Sequence, residues 1–504
     1  MYVALVTPKS TTYPPRWAPT FVRWHRTEVS WWRSWKIALG SLRQVRDHTI
    51  LDYAADLPGQ DDVVVARLPF AKFVIVRSPE LARHVLVANQ DNYKKSPDYD
   101  MLAVAFGRGL VTDLDDRLWQ RNRRLVQPIF AKRNFDRFAG AMVDAAMDAA
   151  DRIRQLSAGG DPVDVSVEMN RLTLDVTSRT MFGSAVDGPM SEVVLSRLLN
   201  LFGVGFMTNL AHPLHAIGAR LHRQDNSRLP VRVLRSIAWV IAPRAMRDLR
   251  YTERIVARMI ADHRSGVTTG EDNLLALLMA ARDPETGYRY DDREIHDELM
   301  TFMGAGMETT ATALTWLWYL LAQHPDVRDR VRQEVDEVLG GRPATAEDVE
   351  NLPWVRAVVA ETMRLYPPVV ALARTAKEDD MLGDFPVPAG TTIAVIVHGV
   401  HRNRRLWEKG GEFDPSRYLD ANLRRDQKQA TMPFGAGKRM CVASGFANLE
   451  TTLVVATLVQ RLDFDRVSAE PVVRQVSFTG GPAGPLLMRP RFHDRDTARR
   501  IDPA

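Results

Sequence analysis

The chain carries one cysteine in 504 residues, Cys441. A single thiol excludes an intramolecular disulfide and fits a reducing compartment. No stretch comes near the ~18 uninterrupted apolar residues that a spanning helix needs. No internal repeat is visible. The net charge is only +5, from 67 basic and 62 acidic residues. No basic face with a recognisable nucleic-acid module accompanies it, so nucleic acid is not expected as a partner. The first nine residues, broken by Pro8, are too short and too soon interrupted for a signal peptide. A cytoplasmic location is the resulting expectation.

What is present is a globular composition, 45% hydrophobic and 26% charged, long enough for a large core or more than one domain. The charge is unevenly placed. Residues 1–48 hold eight Lys or Arg against two acids, and five of the eleven tryptophans. Clustered tryptophan and positive charge suit a lipid interface, so residues 13–48 read either as a membrane-surface contact or as an arm packed on its own domain with its cations solvated. The division expected is an arm and first helix over 1–55 and a single domain over 56–504.

Along the chain, residues 21–53 show an uneven helical pattern. Residues 63–67 and 71–77 read as a two-stranded hairpin, and Ser78-Pro79-Glu80 as a capped helix start. Residues 91–112 look loop-like. Trp119 and Arg123 share one face of a helix. Residues 135–283 are mostly helical, with Phe202, Phe206 and Met207 reading as pocket lining or plain core. One long helix runs from Asp292 to about Gln323. Its middle, Gly304-Ala305-Gly306-Met307-Glu308-Thr309, holds two glycines, each disfavouring the helix by about 1 kcal/mol relative to alanine. They read as a packing notch or as room for a close approach. Glu361 and Arg364, three apart on a helix ended by two prolines, can pair. Strand-like runs recur around Arg374, at 392–397 and around 479–482.

Cys441 follows a turn containing Gly435 and Gly437 and precedes a helical run. A helix start gathers unpaired N–H groups and the positive dipole end. These favour a thiolate, as do the neighbouring Lys438 and Arg439. A thiolate so held is a nucleophile or a soft metal ligand.

Phe434-Gly435-x-Gly437-x-Arg439-x-Cys441 resembles the haem-ligand signature of the cytochrome P-450 family, and Phe446-Ala447-x-x-Glu450 continues it. Ala443 stands where many members carry glycine. Four further motifs resemble the family's in order: Trp119-x-x-x-Arg123, Gly306-x-Glu308-Thr309-Thr310, Glu361-x-x-Arg364, and Phe413-Asp414-Pro415-x-Arg417. The resemblance implies a mainly α fold with small β-sheets, a long central helix over the haem and the Cys-ligand loop on its proximal side. It implies Cys441 as the metal ligand of heme b, with Phe434 and Ala305 against it. Trp119, Arg123, Arg374 and Arg439 become anchors for its propionates. Thr309 and Glu308 become the catalytic alcohol and acid. Glu361, Arg364 and Arg417 form a structural network. Val369, Val370 and Ala305, with Phe478-Thr479 approaching from the C-terminal turn, would line a pocket for an apolar, lipid-like substrate such as a fatty acid or terpenoid.

The reaction implied is insertion of one atom of O2, with electrons ultimately from NAD(P)H. Too few residues follow Cys441 for a flavin domain, so a separate ferredoxin or flavodoxin-type donor with its reductase is expected. Lys438, Arg439, Arg121 and Arg124 are then candidates for a basic docking face. Two rivals are a peroxide-using or peroxide-rearranging relative, which the Glu308-Thr309 pair disfavours, and a non-enzymatic haem sensor.

Overall fold

The structure, a computed structural model, describes residues 26–28, 62–67, 72–97, 99–183, 231–266, 273–419, 423–476 and 479–493. In chain order its first elements are β1 (Arg26–Glu28), β2 (Val63–Arg67), β3 (Lys72–Val76), α1 (Pro79–Arg83), β4 (Tyr93–Lys95), α2 (Tyr99–Phe106), α3 (Asp116–Val126) and α4 (Phe135–Leu156). Then come β5 (Val163–Asp164), α5 (Val165–Phe182), α6 (Val231–Ile241), α7 (Pro243–Arg264), α8 (Leu274–Ala280), α9 (Asp292–Gln323), α10 (Pro325–Leu339) and α11 (Pro353–Leu365). The rest are β6 (Ala371–Ala376), β7 (Asp380–Leu382), β8 (Phe385–Val387), β9 (Thr392–Ile396), α12 (Val397–His401), α13 (Arg425–Ala430), α14 (Ser444–Val459), β10 (Leu462–Arg466), β11 (Arg474–Val476), β12 (Gly480–Pro482) and β13 (Leu487–Phe492).

Helices dominate, and the expected mainly α fold with small sheets is what forms. The long helix α9 begins on a capping box, in which Asp291 and Glu294 satisfy each other's backbone N–H groups. From Thr310 to Leu321 every side chain on it is buried, as a helix surrounded by others requires. It packs against α2, α5, α7, α11 and β10, and so forms the axis of the main core. A second, smaller core lies around a six-stranded sheet of order β1-β2-β3-β9-β6-β4. The hairpin β2–β3 is antiparallel as expected, and Ser78 caps α1 by accepting from the Leu81 N–H at 3.3 Å. Among the described residues no helix is long and apolar enough to cross a membrane.

Two expectations fail. Within 21–53 the only described segment, Arg26–Glu28, is a strand and not a helix. It pairs parallel to β2 and covers an edge whose backbone groups would otherwise lack partners. Nothing else of the 13–48 arm, nor Phe202, Phe206 or Met207, lies within the described residues. The supposed loop 91–112 contains β4, antiparallel to β6, and α2, whose Ala103, Val104 and Phe106 are buried. Polar flanks hid both elements, and tertiary burial stabilises them.

Candidate active site

Cys441 lies three residues before α14, in a loop fixed at both ends. Its N–H donates to Phe434 O at 2.9 Å, and Gly435 N–H to Met432 O at 3.0 Å. Gly437 has φ +71°, and a Cβ there would fall 1.9 Å from Leu86 O. Only glycine lets the loop lie so close to that turn. Lys438 N–H then donates to Gln90 Oε1 at 2.7 Å. Cys441 is exposed by area, yet surrounding protein is dense enough that burial pushes its thiol pKa up. A recess reconciles the two: the residue is open to one side only.

Two groups oppose that upward push, the Ala443 N–H and the charge of Arg123. The sequence had credited Lys438 and Arg439, and the structure corrects this. Lys438 pairs with Asp91 at 2.7 Å and Arg439 with Asp116 at 2.5 Å. Arg121 and Arg124 are likewise paired, with Glu294 at 2.6 Å and Asp283 at 2.7 Å. The four residues proposed as a basic docking face are therefore neutralised by acids of their own chain.

Helix α9 carries one half-open stripe on an otherwise buried stretch: Phe302, Ala305, Gly306 and Thr309. Their spacing, i, i+3, i+4 and i+7, is one helical face. The two glycines differ in role. A Cβ on Gly304 would lie 2.3 Å from Phe106 Cε1, so Gly304 is a packing notch for α2. Gly306 meets only Thr177 Oγ1 at 3.6 Å and belongs to the open stripe.

Several contacts tie α9 to the elements on either side of the cysteine loop. Phe130 packs edge-on against both Phe302 of α9 and Phe446 of α14, with centroids 5.5 and 5.9 Å apart. On the other side Thr479 Oγ1 donates to Glu308 Oε1 at 2.8 Å. Val370 Cγ2 lies against Gly480, and Leu372 Cδ1 against Gly435. Val369 is half-buried beside the buried Val370. Phe478 lies outside the described residues. Thr309 Oγ1 donates to Ala305 O at 2.6 Å, and burial pushes the Glu308 carboxyl pKa up to about 7. Glu450, fully buried on α14, is pushed up to about 8 by the same cause.

Three cations gather at one end, and of them only Arg439 has an ion-pair partner among the described residues, Asp116. Arg374 is buried on β6, and Arg439 stacks on the Trp119 ring at 4.2 Å with its Nε unpartnered. The third, Lys95 on β4, was not foreseen from sequence. It is 8% exposed and donates only to the carbonyls of Leu110 and Val111. Burial, then the charges of Arg439 and Arg374, push its ammonium pKa well down. Neither Lys95 nor Arg374 has an ion-pair partner among the described residues. Buried like charges at this density favour an anionic ligand. Arg123 stands apart, donating to Met440 O at 2.7 Å beside Cys441.

The Glu361–Arg364 pair is fully buried, with both guanidinium branches on the carboxylate at 2.6 and 2.7 Å. Arg417 approaches Glu361 Oε1 only to 3.5 Å, a charge contact and not a hydrogen bond. His401, which the sequence gave no reason to single out, donates from Nδ1 to Arg364 O (3.2 Å) and accepts at Nε2 from Met432 N–H (2.8 Å). It ties the pair to the start of the cysteine loop.

Comparison with known proteins gives the same picture. The family model described as "Cytochrome P450" (hereafter cytochrome P-450) matches residues 34–479. The chain is 33% identical to cyclooctat-9-en-7-ol 5-monooxygenase of Streptomyces melanosporofaciens, over 82% of this chain and 84% of that one. It is 32% identical to pentalenene oxygenase of Streptomyces avermitilis, over 84% and 87%. To cytokinin hydroxylase of Arabidopsis thaliana it is 32% identical, over 71% and 66%.

Proposed function

This chain belongs to the cytochrome P-450 family and is a monooxygenase of it, and we propose that it oxidises an apolar, lipid-like molecule, with a terpenoid skeleton the first candidate. The observation that carries this reading is the half-open stripe of Phe302, Ala305, Gly306 and Thr309 on α9, tied to the helix after the cysteine loop through Phe130, with the aliphatic Val369, Val370 and Leu372 on the segment that touches Gly435 and Gly480. Such walls bind by removing apolar surface from water, at about 25 cal/mol per Å². Two of the relatives are named for oxidising an alkenol and an alkene, which favours a hydrocarbon skeleton over a long-chain acid.

The family implies haem, and the residues fit it. Cys441 would hold the iron. Lys95, Arg374, Arg439 and Trp119 would take the propionates, and Phe434 and Ala305 would flank the ring. Arg123, facing Met440 O, would support the ligand loop. When bound, the group supplies activation of dioxygen, helped by electron donation from the cysteine sulfur. The chain's own residues then exclude water, orient the substrate and move protons. Thr309 Oγ1 holds its proton on Ala305 O, and turning off that carbonyl frees it for the open face. Glu308, with a pKa pushed up to about 7, exchanges protons near neutral pH, where a relay acid is most effective. Electrons ultimately come from NAD(P)H through a ferredoxin or flavodoxin-type protein and its reductase.

The test is a titration of the haem-loaded protein with cyclic terpenoid hydrocarbons and alcohols, long-chain acids and small charged compounds. The terpenoids are expected to give the low-to-high-spin Soret shift, and Val369→Phe to weaken it. If only small charged compounds shift the band, the pocket reading is wrong.

A further inference from the structure

Thr479 sits at the turn leading into β12, and its surroundings are fixed from three directions. Gly480 N–H donates to Pro368 O at 2.9 Å. The Trp316 indole donates to Gly480 O at 2.7 Å. A Cβ on Gly480 would lie 2.7 Å from Val370 Cγ2, so no larger residue fits there. The turn is therefore clamped against α9 and against the strand that walls the pocket. Thr479 itself is only 2% exposed.

From that position Thr479 grips Glu308 twice. Its hydroxyl donates to Oε1 at 2.8 Å, and its main-chain N–H also bonds the carboxylate. Having given its proton to Glu308, the Thr479 hydroxyl accepts from Thr312 Oγ1, 2.8 Å away and one turn further along α9. Glu308 Oε2 is buried and has no hydrogen-bond partner among the described residues. A buried carboxylate oxygen left bare is destabilising, so its persistence needs a reason.

We propose that Thr479 is a positioning residue for the oxygenation. It holds one oxygen of the Glu308 carboxyl against the C-terminal turn and leaves Oε2 as the atom that gives and takes the proton. This rests on the reading of Glu308 as the relay acid. Thr309 and Thr312 then divide the work: Thr309 faces the open stripe, and Thr312 completes the grip from behind. Among the described residues no charged side chain acts on the Glu308 carboxyl from the elements packed on α9. Burial raises its proton affinity, and only the two Thr479 bonds lower it.

The experiment compares wild type with Thr479→Val, Thr479→Ser and Glu308→Gln, all haem-loaded. The carboxyl stretch of Glu308 is followed by infrared pH titration in the resting protein, with Glu308→Gln assigning the band. Separately, the share of reductant appearing as product or as hydrogen peroxide is measured against pH. Thr479→Val keeps the shape and the main-chain bond but removes the hydroxyl. Its carboxyl midpoint is expected to rise by about one pH unit, equivalent to about 1.4 kcal/mol. The pH profile of coupling should move with it. Thr479→Ser should restore both profiles. An unmoved infrared midpoint in Thr479→Val overturns the proposal, as does a midpoint that moves without the coupling profile. If Glu308→Gln couples as well as wild type, the relay reading itself fails, and the infrared result tells that failure apart from the first.

Discussion

Replacing Arg364 by lysine is expected to destabilise the fold severely although charge is conserved. The guanidinium is fully buried and makes five hydrogen bonds: two to Glu361, and one each to the carbonyls of His401, Gly410 and Glu412. Lysine offers three donors from a single nitrogen, without the planar fork. At least two acceptors are then left bare. A hydrogen bond to a charged group is worth about 1.5–3 kcal/mol, so the loss is about 3–6 kcal/mol. That is a large part of the ~5–15 kcal/mol that stabilises a typical protein. Arg417→Lys is the control. Its Nε stands 3.5 Å from Glu361 with no hydrogen bond, a partly exposed contact worth about 0–1 kcal/mol. Urea unfolding followed by far-UV circular dichroism measures both. A loss below about 1 kcal/mol for Arg364→Lys, or equal losses for the two variants, would refute the reasoning.

Two further outcomes are expected. Burial and the charge of Arg364 push the His401 pKa down to about 3, below its unfolded value of about 6.5. Its contribution to stability is therefore complete above pH ~6.5 and is lost as pH falls from there toward 3, by at most about 1.4 kcal/mol per pH unit. His401→Gln should flatten the fall of the urea midpoint between pH 6.5 and 4.5, and matching slopes would count against the neutral-histidine bridge. Gly437→Ala places a Cβ 1.9 Å from Leu86 O at φ +71°, so the cysteine loop must shift and the protein should release haem to apomyoglobin faster. Gly341→Ala has the same sign of φ, at +89°, but open space around it. It carries only the left-handed strain of about 1–2 kcal/mol and should keep haem at the wild-type rate. Equal release rates would show that the close approach is unimportant.

Much of this site was legible before the structure, for reasons that can be stated. Cys441, Glu361 with Arg364, and the α9 stretch around Glu308 carry their chemistry within a few residues of sequence. Local spacing alone places those groups together. Lys438 and Arg439 show where that stops. Neighbours in a three-residue helical turn point about a third of a revolution apart, so Lys438 reaches Asp91 at the surface while Arg439 turns inward to Trp119 and Asp116. Sequence treated them as one patch. Lys95, His401, Phe130 and the contact of Thr479 with Glu308 were out of reach for a different reason. Each acts on partners far away in the chain, as when Thr479 meets Glu308 across 171 positions. The strand β4 and helix α2 were missed because their stability comes from pairing with β6 and from seating Phe106 on Gly304, and neither leaves a periodic trace.

The cations of the site connect its chemistry back to the stability of the fold. Lys95, Arg374 and Arg439 repel one another in a buried region, and Lys95 gives way first, its ammonium pKa driven well down. Arg439 is held by Asp116 and by the Trp119 ring. Among the described residues the Arg374 guanidinium has only the Ala373 carbonyl. A fold with this arrangement stores unfavourable charge that an anionic cofactor would relieve, giving Lys95 and Arg374 a counter-ion. Binding to the folded state alone stabilises it by mass action. If these residues hold the haem, its loss and the loosening of β4 and β6 would be a single linked event. Because β6 also carries Leu372 against Gly435, and the segment just before it carries Val370 against Gly480, that loosening would open the substrate wall and the cysteine loop together.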